Sequence, residues 1–140
     1  RRTALCKVRD EQVLRQDVLS MREKMRTHLD KTTSREHDLK QGQGGVIDIE
    51  FLVQYLLLRH AHQHRELVGD TDIVRQLAAL ERCGVLPPAD AQYIREMYLA
   101  LRALIHQRRL QNEGHLVPQD SVYPQFDTAT YWTRYGLLSP

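Results

Sequence analysis

Between Glu11 and about Leu29 the apolar residues Val13, Leu14, Val18, Met21, Met25 and Leu29 recur at helical spacing, while Arg, Glu, Gln and Lys fill the other face. This pattern predicts an amphipathic helix, and Ala4, Leu5 and Val8 carry the same spacing towards the N-terminus. The polar run Asp30 to Ser34 closes it. A linker from Arg35 to Gly45 follows, and Gly42, Gly44 and Gly45 near its end forbid a helix there and allow close backbone approach. From about Ile47 to His62 the chain is apolar nearly all round, through Ile49, Phe51, Leu52, Val53, Tyr55, Leu56, Leu57 and Leu58. A helix apolar on every side is buried on every side, so this segment is expected to be the central helix. A buried parallel strand is the competing reading, and the length of the run with Gln54 and Arg59 inside it favours the helix.

A third helix is expected from about Asp72 to Arg82, capped by Asp70 or Thr71 and stopped by Gly84. After a turn at Val85 to Pro88, a fourth runs from Pro88 through Ile94, Met97, Tyr98, Leu101, Leu104 and Ile105 to about Leu110. Residues 113–140 are expected to be an irregular C-terminal segment, although Thr128 to Leu137 can form a short helix if Tyr131, Trp132 and Tyr135 find something to pack on. The fold class expected is therefore all-α, an antiparallel bundle of four to five helices forming a single domain over residues 1–140.

Composition narrows the function classes. With 41% hydrophobic residues the 140-residue chain can bury one modest core. Twenty basic and eighteen acidic residues are closely mixed, for a formal charge of +2, so no electrostatic footprint points to nucleic acid or an anionic membrane. The longest apolar stretch, Val46 to Leu58, is broken by Asp48, Glu50 and Gln54, and so is not expected to span a bilayer. Cys6 and Cys83 lie far apart, form no CxxC pair and read as reduced thiols; with no apolar leader at the N-terminus, a cytoplasmic protein is expected.

No complete catalytic constellation is legible, and no catalytic residue is expected within the chain. Asp70 and Asp72 superficially look like the paired Mg²⁺ aspartates of nucleotidyltransferases. Two carboxylates at i and i+2 converge only on a strand, however, and on a helix they diverge by about 200°. Helix capping is the simpler account of both. His60 and His64 share a helix face and can chelate as an i, i+4 pair, but nothing joins them at useful spacing and the helix dipole alone favours imidazoles there, so no metal site is expected. The glycine run before the central helix can hold an anion at the helix N-terminus, a weak signal without a Walker lysine. Asp48 suits the first turn of that helix. Glu50 sits inside the apolar stretch and needs a partner if buried. Arg102, between Leu101 and Leu104, is the expected partner, and failing that Arg22. Glu50 is then either half of a structural ion pair that fixes helix register or a residue beside an active site.

The run Asp38-Leu39-Lys40, Gly44-Gly45-Val46-Ile47-Asp48-Ile49-Glu50-Phe51 and Gln54-Tyr55 resembles the glutamine synthetase adenylyltransferase family. The resemblance extends upstream to Met21-Arg22-Glu23-Lys24-Met25 and downstream to Tyr98-Leu99-Ala100-Leu101-Arg102 and Leu110-Gln111, covering about residues 10 to 118. Members attach AMP to glutamine synthetase and remove it, and carry two similar halves, each a nucleotidyltransferase domain followed by a helical domain. The Met21 to Met25 start and His106 look more like the C-terminal half. The resemblance implies a helical accessory domain that packs on its own nucleotidyltransferase domain, which is expected upstream of Arg1. It also implies contact with glutamine synthetase and with the PII signal protein. ATP and Mg²⁺ would serve the parent enzyme, with neither bound by this chain alone and the chain alone inactive. Lys40, Gly44, Gly45, Asp48 and Glu50 are the residues expected to line the cleft. A free-standing helical interaction module is the alternative, and it would need no glycine loop facing a cleft.

Overall fold

Helix α1 spans Glu11–Leu29, and its first turn is fixed by Asp10, whose carboxylate accepts the backbone N–H groups of Gln12 and Val13. The computed structural model describes residues 10–67 and 71–140, so the extension towards Ala4, the thiol of Cys6 and the proposed cap Asp70 lie outside the described residues. The buried stripe of α1 is rotated from the one the periodicity suggests. Leu14 and Arg22 are buried, with Val18, Leu19, Met25 and Arg26 partly so, while Val13, Met21 and Leu29 are exposed. A stripe at positions 14, 18, 22 and 26 follows the i, i+4 ridge, and two of its four members are arginines.

Helix α2, Val46–His60, is the centre of the molecule. It packs against α1, against α3 (Ile73–Arg82), against α4 (Pro88–Leu110) and against α5 (Thr128–Arg134). Packing by four helices explains its near-continuous apolar sequence: Ile49, Leu52, Val53 and Leu56 are essentially sealed from solvent, while Gln54 is exposed. A single 3₁₀ turn at Arg65–Leu67 follows. The cap of α3 is Asp72, which accepts the N–H of Arg75. Gly84, at φ 78°, ends it in the left-handed conformation, and the N–H of Val85 reaches back to the carbonyl of Leu80. Pro88 opens α4, whose Ala91, Ile94, Leu101 and Ile105 face the core.

The five helices of the described residues bear out the expected all-α bundle, with one addition. Residues 35–45 are more than a linker. Glu36–Asp38 forms β1, which pairs antiparallel with β2, Leu116–Pro118, in the register Glu36 to Pro118 and Asp38 to Leu116. Hydrogen bonds from Leu39 N–H to His115 and from Gln119 N–H to Arg35 lengthen the ribbon at both ends. The segment expected to be irregular, 113–140, is accordingly a structural part of the bundle. It carries β2 and α5, and it buries Val117, Phe126, Trp132 and Leu137. Tyr93, Phe126 and Tyr131 stack together, with the Tyr93 and Tyr131 centroids 4.7 Å apart, so the aromatic residues of the tail find their partner on α4. Among the described residues no helix is long and apolar enough to cross a membrane.

Candidate functional site

The glycine loop folds because its own side chains satisfy its backbone. Asp38, at the end of β1, is fully buried and accepts the N–H groups of Lys40 and Gln41 on Oδ1 and that of Lys31 on Oδ2. His115 Nε2 lies 3.6 Å from the same Oδ1. The chain then turns back on itself. Gly42 N–H bonds to Asp38, Gly45 N–H to Gly42, Val46 N–H to Leu39 and Ile47 N–H to Lys40. Gly42, Gly44 and Gly45 each leave no room for a side chain here. Gly44 sits at φ 76°, and a Cβ on it would stand 2.5 Å from the Gln125 side chain and 2.6 Å from the Phe126 carbonyl; one on Gly45 would stand 2.6 Å from the carbonyl oxygens of Leu39 and Lys40.

Asp48, fully buried in the first turn of α2, organises the site. Its Oδ1 accepts Arg22 Nε at 2.7 Å and Arg26 Nη2 at 3.3 Å. Its Oδ2 accepts the N–H of Gly44 at 2.9 Å and the hydroxyl of Thr128 at 2.7 Å. Its backbone carbonyl accepts the indole N–H of Trp132 at 3.0 Å. Arg22 continues into the loop, donating from Nη2 to the Gln41 carbonyl at 2.6 Å and from Nη1 to the Gln41 side chain at 3.2 Å. One carboxylate therefore joins α1, the glycine loop, α2 and α5. Charge-assisted bonds of this kind are short and strong, and a buried arginine and aspartate this well satisfied hold their geometry.

Two expectations are corrected by this arrangement. The N-terminus of α2 offers no anion site, because the amides of Gly44, Gly45, Val46 and Ile47 are consumed by Asp48 and by loop carbonyls. The ion pair between Glu50 and Arg102 is not formed either. Glu50 is half-buried, Arg102 is exposed, and the buried arginine–carboxylate pair is Arg22 with Asp48. The reason is rotational: two residues along a helix turn a side chain through about 200°, so Asp48 points inward and Glu50 away from it. Burial raises the Glu50 carboxyl above its ordinary value, against the opposing pull of Arg102 and Lys40.

Of the five residues expected to line a cleft, Gly44, Gly45 and Asp48 are buried within the chain and Lys40 is half-buried. Glu50 borders a cleft of about 390 Å³, shared with Phe51, Gln54, Thr71, Asp72, Ile73 and Tyr98. The histidine cluster does not gather ligands: among the described residues no three His, Cys, Asp or Glu side chains come together as a metal site. Both oxygens of Asp38 and of Asp48 already accept donors, so these two carboxylates do not suit Mg²⁺. Asp90 on α4 forms a further polar centre, taking two bonds from Arg134 Nη1 (2.8 and 2.9 Å) and a short third one from the Tyr135 hydroxyl. Burial opposes ionisation of Asp90, but these hydrogen bonds outweigh it and hold the carboxyl below its ordinary value.

The model of the GlnD PII-uridylyltransferase family matches residues 12–123. The chain belongs to that family. Among its relatives is the bifunctional glutamine synthetase adenylyltransferase/adenylyl-removing enzyme of Idiomarina loihiensis, 46% identical over 113 residues, which are 81% of this chain and 12% of that protein. The enzyme of the same name from Pseudomonas syringae pv. tomato is 37% identical over 150 aligned residues, 98% of this chain and 15% of that protein. That from Vibrio parahaemolyticus is 40% identical over 134 residues, 96% of this chain and 14% of that protein. The chain thus spans about an eighth to a seventh of the length of these relatives, and the resemblance carried by Gly44-Gly45 and the Asp48 to Phe51 run is to this same enzyme. The matched range includes Arg22 and Asp48 but stops short of Thr128 and Trp132, so three of the four elements that meet at Asp48 (α1, the loop and α2) contribute from inside it and α5 from outside.

Sequence reasoning singled out Asp48 but not the partners that define its role. Arg22 was legible as the i+4 continuation of Leu14 and Val18. Asp38 carried the signal of an Asp two residues before a turn amide. Thr128 and Trp132, 80 and 84 residues from Asp48, carried none.

Proposed function

We propose that this chain is the helical accessory domain of an enzyme that adenylylates and deadenylylates glutamine synthetase, and belongs to the C-terminal half of that enzyme. The observation that carries the reading is the match of nearly the whole chain to a short part of enzymes bearing that name. The domain packs on a nucleotidyltransferase core, and its role is positional. Asp48 and Arg22 hold the glycine loop and three helices in one rigid arrangement, which suits a surface that must orient a neighbouring catalytic domain or a protein substrate. ATP and Mg²⁺ belong to the core, since the buried carboxylates here are already bonded. The tyrosine that receives AMP, and the PII protein that regulates the transfer, are met by the assembled cytoplasmic enzyme.

The test is a parent enzyme from which the segment has been deleted, assayed for AMP transfer to glutamine synthetase and for its removal, with the 140-residue chain then supplied in trans. The chain alone is expected to transfer no AMP. The deleted enzyme is expected to lose at least one of the two activities, and addition of the chain to restore part of it. A deleted enzyme that keeps both activities on glutamine synthetase overturns the reading.

A further inference from the structure

The Asp48 centre accounts for the inner side of α2, but it leaves Glu50 without a role. Glu50 is half-buried in the cleft between α2, the start of α3 and α4, and among the described residues no cation lies within ion-pairing distance of it. The half-buried aromatic residues Phe51 and Tyr98 line the same cleft. A second carboxylate, Asp72, stands on the same wall, capping α3 through Oδ1. Burial pushes the Tyr98 hydroxyl above its ordinary value, and Glu50 and Asp72 add to that push against the opposing pull of Arg102. The volume of about 390 Å³ exceeds what a single water requires and falls in the range of ligand-sized clefts.

We infer that this cleft receives one arginine or lysine side chain from another domain of the parent enzyme, with Glu50 as its counter-ion and Phe51 and Tyr98 as the faces against which its charged head lies. Three considerations choose this occupant. A carboxylate partly withdrawn from water without a direct partner raises the free energy of the isolated chain, and an entering cation recovers that cost. Aromatic residues lining a cleft that also holds a carboxylate favour a cation, and a planar guanidinium most of all, since it can stack on a ring while bonding in its own plane. The relatives are about seven times as long as this chain, so most of the surface that can supply such a side chain lies outside it. The inference rests on the proposed accessory-domain role and gives that docking its chemistry.

The experiment uses the full-length parent enzyme with a photo-cross-linking amino acid at position 54, because Gln54 is exposed at the rim of the cleft. The expected result is an intramolecular cross-link to a peptide of another domain that contains an arginine or lysine, with a yield that falls about tenfold in Glu50→Gln, as loss of a partly desolvated charge pair implies. Hydrogen exchange in α2 is expected to stay unchanged in the same variant, which separates lost docking from lost folding. Arg102→Ala is expected to change neither readout. Four results overturn the inference: no cross-link, a cross-link to a second copy, a cross-link to glutamine synthetase, or a loss of α2 protection shared by Glu50→Gln and Arg102→Ala, which would make the pair internal. Absence of the cross-link in an enzyme that the deletion inactivates refutes the cleft alone. Its presence in an enzyme that survives the deletion refutes the functional reading alone.

Discussion

Asp48 and Glu50 are two carboxylates two positions apart on one helix, and the structure treats them in opposite ways. Asp48 is sealed from solvent and takes hydrogen bonds from Arg22, Arg26, Gly44 and Thr128. Glu50 is half-buried, with its arginine near enough only to act through space. Their chemistry is nearly identical, so the contrast comes from direction alone. A helix sends them to opposite sides, one into a fully bonded interior and the other towards a cleft. A paired acidic motif read along a helix should therefore be divided into its two directions before either residue is given a role.

The sharpest way to break the contrast is Asp48→Ala. It leaves the buried Arg22 guanidinium without its acceptor and should cost about 3–5 kcal/mol, read by urea unfolding of the chain. The double variant Arg22→Met, Asp48→Leu should recover much of that loss, because no unpaired charge remains. If the single and double variants are equally destabilised, the centre holds the fold through packing and not through charge. Next is Gly44→Ala, which forces a side chain into φ 76° and against the Phe126 carbonyl; a loss of about 2 kcal/mol is expected in the same assay.

Asp90→Asn offers a milder comparison, with a carboxylate that is bonded but nearer the surface. The Asp90 carboxyl is held below its ordinary 3.8 in the folded chain, so its contribution is complete above that pH and disappears as pH falls through the lower folded value. The Tm difference between wild type and variant should be constant near neutrality, smaller than that of Gly44→Ala, and should close in strong acid. Glu50→Gln should have the smallest effect and the opposite sign. The folded Glu50 holds its proton more tightly than an ordinary glutamate, so the charged form becomes a burden as pH rises above 4.5. The variant should melt at or slightly above the wild-type temperature at pH 7, within about 0.5 kcal/mol, and match it near pH 4. A clear loss of stability at pH 7 would give Glu50 a structural partner after all.

The helices were legible because their signals are local: the Asp10 cap, the apolar run of α2, Gly84 after α3 and Pro88 at the start of α4 each act within a few residues. The ribbon of β1 and β2 was not, since two three-residue strands leave no periodicity to count, and each exists only because the other pairs with it. The same limit applies to the site. Gly44, Gly45 and Asp48 could be picked out as a group, yet the weak anion-site signal of the loop could not be decided from them, because its amides are consumed by carbonyls and by Asp48, an outcome that depends on how the chain doubles back. Arg102 was assigned to the interior from the apolar residues beside it, although Tyr98, Leu101 and Ile105 define a stripe that passes it by.

The span between Asp48 and the α5 residues that hold it bears on the order in which the molecule assembles. Helices α2, α3 and α4 follow one another along the chain, so their contacts close smaller loops. Thr128 and Trp132 must return across 80 and 84 residues. Closing a loop of that length, compared with one of about ten residues, costs roughly 1.8 kcal/mol more in chain entropy. The three-helix core should therefore form first and the α5 latch after it, since the α5 residues also leave the ribosome later than that core. Thr128→Val should then speed unfolding while leaving the refolding rate nearly untouched, as stopped-flow traces of the two proteins would reveal. A nascent chain that has not yet reached α5 holds Arg22 and Asp48 without their lid, and the glycine loop takes its final shape only once synthesis of the whole segment is complete.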